Sequence, residues 1–125
     1  MKALSTLVLA VLLLAGCVST RTVTRSVEVD ADADVAFQAA ASTLLDDRQV
    51  FELSDADAGL VVGVSGSAYG QRARTTFWVS PLADDRSFVV VQRFDLGYES
   101  PEAMDENLDR LIARLRQRVV MGDAP

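Results

Sequence analysis

Arg72-Ala73-Arg74-Thr75-Thr76-Phe77-Trp78-Val79-Ser80, a break at Pro81 to Arg86, and then Phe88-Val89-Val90-Val91-Gln92-Arg93-Phe94-Asp95-Leu96 is the stretch that decides the fold. Both runs are rich in β-branched and aromatic residues, and the turn formers Pro81, Asp84 and Asp85 separate them, so they read as two antiparallel strands. Upstream, Val50-Phe51-Glu52-Leu53 and Leu60-Val61-Val62-Gly63-Val64 flank the turn-rich Asp55-Ala56-Asp57-Ala58-Gly59. With Tyr69-Gly70-Gln71 as the next turn, the four runs make a meander.

Outward from the meander the pattern changes period. Val23, Val27 and Val29 alternate with Thr22, Thr24, Ser26 and Glu28 as a half-buried strand does. Val35, Phe37, Ala40, Ala41, Leu44 and Leu45 recur at helical spacing, which predicts a helix over Ala33 to Asp47 with Asp32 as its cap. Ser100-Pro101-Glu102 supplies a cap, a first-turn Pro and an acid, and Met104, Leu108, Leu111, Ile112, Leu115 and Val119 follow on one stripe. Acids crowd the front of this helix and Arg110, Arg114, Arg116 and Arg118 its rear, with Glu106 four residues before Arg110. The expected fold is α+β: a two-layer β-α-β-β-β-β-α domain over residues 22–120, with both helices on one face of an antiparallel sheet and residues 121–125 as a tail. The expected core parity of the last strand is Phe88, Val90, Phe94 and Leu96. About 100 residues suffice for a single core.

The chain opens on Met1-Lys2 and an apolar run from Leu7 to Ala15, too short for a membrane span of about 20 residues. The run closes on Leu14-Ala15-Gly16-Cys17, which resembles the lipobox of bacterial lipoproteins. The resemblance implies a signal peptide over residues 1–16, removed on processing, and a diacylated Cys17 opening a short tether, residues 17–21. Two or three acyl chains anchor stably, whereas one is marginal. Cys17-Val18-Ser19 lacks the Asp after Cys that marks inner-membrane retention in many such lipoproteins, which implies the outer membrane, facing the periplasm, with the periplasmic face of the inner membrane as the alternative. Only Arg21 and Arg25 stand close enough in sequence to meet lipid headgroups. In element order, residues 22–120 are similar to the helix-grip domains of envelope lipoproteins of the BamC type. That likeness bears on fold alone.

The 125 residues carry a formal net charge of −6, with no His and one Cys. An acidic chain of this kind is a poor partner for nucleic acid, and a lone Cys excludes an internal disulfide. Asp30, Asp32 and Asp34 copy the start of a calcium loop, but Val35 and Ala41 stand where Gly and Glu are needed, so these acids read as cap and turn residues and no metal is expected. Asp55, Asp57, Asp84 and Asp85 likewise read as turn residues. Ser65-Gly66-Ser67 has neither a nucleophile elbow nor a His base, and with Gly63 it reads as a bulge or a close helix contact. From these absences the chain is expected to be no enzyme and to need no cofactor. If Phe77 and Val79 face the helices, Trp78 lies outward with Arg72 and Arg74, and Val89, Val91 and Arg93 extend the same open face. In the opposite register Trp78 is core. Tyr98 and Glu99 lie in the strand-to-helix connection. The expected role is a lipid-anchored module that binds another envelope protein through the Trp78 face; the alternative is a module that holds a lipid or small apolar ligand between helix and sheet.

Overall fold

The computed structural model describes residues 21–67, 70–97 and 99–122. The leader, Cys17 and Tyr98 lie outside the described residues, as does the side chain of Arg72. The elements are β1 (Arg21–Val29), α1 (Ala33–Asp46), β2 (Val50–Asp55), β3 (Leu60–Ser67), β4 (Gly70–Pro81), β5 (Ser87–Asp95) and α2 (Pro101–Gly122). They make the expected α+β order. The tether gives way to strand at Arg21, which pairs with Asp95, and Met121 and Gly122 belong to α2.

The five strands form one antiparallel sheet in the order β1-β5-β4-β3-β2. The first strand pairs with the last, so α1 must cross the sheet from the β1 edge to the β2 edge. Asp32 caps α1 as expected, its Oδ1 accepting from the Val35 N–H at 2.9 Å. Ser100 caps α2, its Oγ accepting from the Ala103 N–H at 3.1 Å. The turns follow their residues: Asp55 Oδ1 accepts from the Ala58 N–H, and Asp84 and Asp85 both take positive φ. Gly59 has φ +69°, and a Cβ there would stand 2.2 Å from the Val79 carbonyl oxygen, so only glycine fits. Gly63 lets α1 approach closely, since a Cβ would meet Gln49 Oε1 at 2.9 Å and Leu44 Cδ1 at 3.1 Å. The register shift beside Gly66 supplies the bulge.

Both helices lie on one face, and the core runs between them and the sheet. Phe77, Val79, Val89 and Val91 meet Leu44, Leu108, Leu111 and Leu115 there. The burial of each such side chain contributes about 1.5–3 kcal/mol. This corrects the parity expected for β5: Val89 and Val91 are fully buried on the helix side, while Phe88, Val90 and Phe94 lie half-buried on the uncovered face. Register is the cause. Phe77 stands opposite Val91 and Val79 opposite Val89, so fixing Phe77 inward draws both valines with it. The run Val89-Val90-Val91 carries no alternation that could reveal this.

Ion pairs tie the layers. Arg25, expected near headgroups, instead bridges Asp105 and Asp109 of α2. Arg110 reaches Asp47 at 3.0 Å and Arg118 reaches Asp46 at 2.7 Å, so these arginines of α2 pair with the acids that end α1; Glu106 forms no ion pair among the described residues. Carboxylates are unfavourable at a helix C-terminus, and the two arginines offset that.

Candidate ligand site inside the grip

The inner face of the sheet has two halves. Toward Val29 and the β4–β5 turn it is apolar except for Ser87, whose hydroxyl is satisfied by donating to the Ala31 carbonyl at 2.8 Å. Toward the start of β1 and the end of β5 it is polar: Thr75, Arg93 and Asp95 point inward and are 0%, 4% and 0% exposed. Strand alternation alone puts them there, because Arg93 and Asp95 share the parity of Val89 and Val91.

Arg93 is held on two sides. Its Nε donates to Glu99 Oε2 at 3.0 Å and its Nη2 to Glu99 Oε1, while its Nη1 donates to Thr75 Oγ1 at 2.9 Å. Asp95 Oδ2 accepts from the N–H groups of Gly97 and Glu99, at 2.8 and 2.9 Å, which folds the connection into α2 back over the strand end. The pairing is nevertheless incomplete. Asp95 Oδ1 and Arg21 Nη1 are both buried and have no hydrogen-bond partner among the described residues, although Arg21 and Asp95 are cross-strand neighbours. A buried polar atom left unpaired costs about 1–3 kcal/mol, which marks a place where a bound water or ligand atom belongs. In the first turn of α2, which follows this connection, Met104 is fully buried yet outside the contiguous apolar cluster.

The residues singled out from sequence are divided by the sheet. Trp78 lies on the uncovered face, 38% exposed, between its neighbours Leu60 and Val90, which decides the register left open above. Arg74 lies on that face too, bidentate to Glu52 at 2.7 and 3.0 Å. Val89, Val91 and Arg93 do not extend that face: the pairing that points Trp78 outward points them inward. Sequence reading missed Asp95 and the locking role of Glu99. The signal was present in β5, where charged residues continue the parity of the buried valines.

A groove of 340 Å³ lies between the two helices, lined by Val35, Gln38, Ala39, Ser42, Arg118 and Met121. It is outside the grip. Among the described residues no group of acids or Cys is placed to hold a metal ion.

No family model and no curated protein matches this sequence. Solved structures do. A START superfamily protein from Mycobacterium smegmatis is 14% identical with a TM-score of 0.59, over 80% of this chain and 97% of that one. The fold is a helix grip. The di-domain ARO/CYC StfQ from the steffimycin biosynthetic pathway matches at 12% identity and a TM-score of 0.61 over 81% of this chain. The grip seen here spans less than half of that protein, 45% of its length. Norcoclaurine synthase from Thalictrum flavum matches at 13% identity and a TM-score of 0.53, over 82% of this chain and 87% of that one. These likenesses establish the fold alone. They also overturn the expectation that the chain is no enzyme: the helix grip serves biosynthetic enzymes, so missing His and Ser motifs do not exclude catalysis.

Proposed function

We propose that this chain is a lipid-anchored helix-grip domain of the bacterial envelope, held through Cys17, that binds an amphipathic ligand between α2 and the sheet. The observation that carries the ligand reading is the buried, incompletely bonded polar end of the grip. An apolar core has no use for Arg93, Asp95 and Thr75, and burying a charge costs several kcal/mol before its partners offset it. Ligand sites have this character: apolar walls with a few fixed polar groups. Asp95 Oδ1 calls for a donor and Arg21 Nη1 for an acceptor. A hydroxyl-bearing, uncharged head supplies both, as in a monoacylglycerol. Met104, unbranched and adaptable, is the side chain whose displacement admits the tail.

The test titrates the full chain in detergent with a fluorescent monoacylglycerol and with a fluorescent fatty acid. The expected result is tighter binding of the monoacylglycerol, weakened about tenfold or more by Arg21→Gln, as loss of a hydrogen bond from a charged donor requires. Equal binding by wild type and variant would sink the reading.

A second reading rests on the uncovered face, where Trp78 stands exposed beside Leu60 and Val90. Exposed aromatic residues anchor protein interfaces. A photo-crosslinking residue at position 78, in cells with Cys17 intact, tests it: a discrete protein adduct supports an envelope partner, and the absence of one counts against it.

A further inference from the structure

The face of the sheet turned away from the helices is built like an interior. An antiparallel sheet face that meets only water turns polar residues outward. Here the outward positions carry Leu60 and Val64 of β3, Trp78 of β4 and Phe88, Val90 and Phe94 of β5, and neither helix lies over them. Leu53 of the edge strand β2 continues the patch at 47% exposure.

Charge and size say what covers it. Arg74 is bidentate to Glu52, Glu28 pairs with Arg86 at 3.0 Å, and Asp55 accepts from the Ala58 N–H. The other outward side chains that the structure describes are apolar or uncharged, among them Thr76 and Gln92. The chain as a whole carries −6, so a face whose charges are already matched is one that a second copy can meet without like-charge repulsion. Five strands about 4.8 Å apart and the 9 residues of β5 span about 24 by 26 Å. Two such faces bury about 1,200 Å² in plan and more over their side chains, within the range of about 1,200–2,000 Å² for specific interfaces.

The register also makes the face self-complementary. Leu53, Val62, Thr76 and Gln92 stand opposite one another as one row across the sheet; Leu60, Trp78 and Val90 form the row on one side of it, and Val64, Arg74 and Phe94 the row on the other. A two-fold axis along the middle row lays each flanking row on the opposite flanking row of the copy, so that every contact occurs twice. Trp78 then meets Arg74 of the copy, and Val90 meets its Phe94. The guanidinium of Arg74, fixed by Glu52 at its edge, keeps its flat face free to stack on the indole.

We propose that the chain pairs with a second copy of itself through this face, the two sheets forming a sandwich in which Trp78 of each stacks on Arg74 of the other. This names the partner for the second reading above and rests on that reading; it makes no use of the ligand or of Cys17.

The test follows the mass of the full chain in detergent by light scattering across a dilution series. A dimer is expected, and Val90→Arg, which puts an unpaired charge at the centre of the face, should raise its dissociation constant about a hundredfold or more. Val120→Arg, at an exposed apolar residue of α2, should leave it unchanged. As the wild-type dimer dissociates, the emission of Trp78, the sole Trp, should move to longer wavelength, which reads the same face with no substitution at all. A monomer throughout, a dimer that survives Val90→Arg in a chain of native circular dichroism, a dimer weakened equally by both variants, or dissociation without the shift in emission overturns the proposal. Photo-crosslinking from position 78 in cells separates its failure from that of the reading beneath it. An adduct of two copies of the chain supports the dimer, an adduct with a different protein overturns the dimer alone, and no adduct overturns both.

Discussion

Phe77 and Thr75 lie two residues apart on one strand and one face, both wholly buried, yet they belong to different kinds of interior. Phe77 stands among Val79, Val89 and Val91 and is covered by the helices, so non-directional burial stabilises it. Thr75 faces Arg93, where each contact must satisfy a donor or an acceptor. The first half of the grip is a core. The second is a polar interior whose bonding is incomplete, and the contrast shows where the fold gives up stability for something other than folding.

The largest effect should come from the apolar half. Phe77→Ala removes a fully buried ring beneath both helices and should cost about 3–5 kcal/mol, read as a lower urea midpoint. A loss below about 1 kcal/mol would mean that the grip is loosely filled throughout, and the two halves would not differ. Next comes the buried ion pair. Glu99→Ala leaves Arg93, 4% exposed, without its bidentate partner and should cost about 2–4 kcal/mol, discounted because Glu99 keeps some contact with solvent. The double variant Arg93→Met/Glu99→Leu should recover most of that loss, since an apolar pair of similar volume is often neutral. If it recovers stability and monoacylglycerol binding together, the polar end is structural and has no part in recognition.

A smaller effect belongs to Thr75→Val, nearly the same in shape but unable to accept from Arg93 Nη1. It should cost about 1–2 kcal/mol by equilibrium denaturation, and the same exchange at Thr76, on the other face, should cost less. Similar costs at both positions would erase the distinction between the inner polar end and the outer face.

How much of this was legible differs by element. Helix limits and turns were, because they are written in local chemistry: Asp32 and Ser100 cap as expected, and Asp55, Asp84 and Asp85 turn the chain. The facing of β5 was not. Alternation names two sets of residues but not which of them is inside, and in β5 the more apolar set, Phe88, Val90 and Phe94, is the outer one while both charges, Arg93 and Asp95, share the inner set with Val89 and Val91; only the pairing of Phe77 with Val91 decides. The inner polar end was hidden for the same reason, since Arg93 read alone is a surface charge. Its lock, Glu99, comes from a connection whose path no local pattern specifies. The helix arginines were misassigned within α2 because their partners, Asp46 and Asp47, end a helix more than sixty residues earlier.

The smallest predicted effect lies outside both halves, at the Asp46–Arg118 pair on the solvent side of the helix layer. The hydrogen bond from Arg118 is the main reason that the Asp46 carboxyl is held below its ordinary value; burial works against it, and the charges of Arg118 and Arg114 add to it. The unfolded chain therefore takes up a proton before the native one does, so stability rises with pH across that interval. The contribution is fully present above the unfolded value of about 3.9 and is lost as pH falls through the lower, folded value. Arg118→Gln should flatten this part of the profile: between about pH 5.5 and about pH 3 its urea midpoint should fall less than that of the wild type. The difference should shrink in high salt, because the pair is open to solvent. A difference that persists in high salt would mean that the directed hydrogen bond from Arg118, and not the solvent-open charges, carries the effect, because screening weakens the second far more than the first.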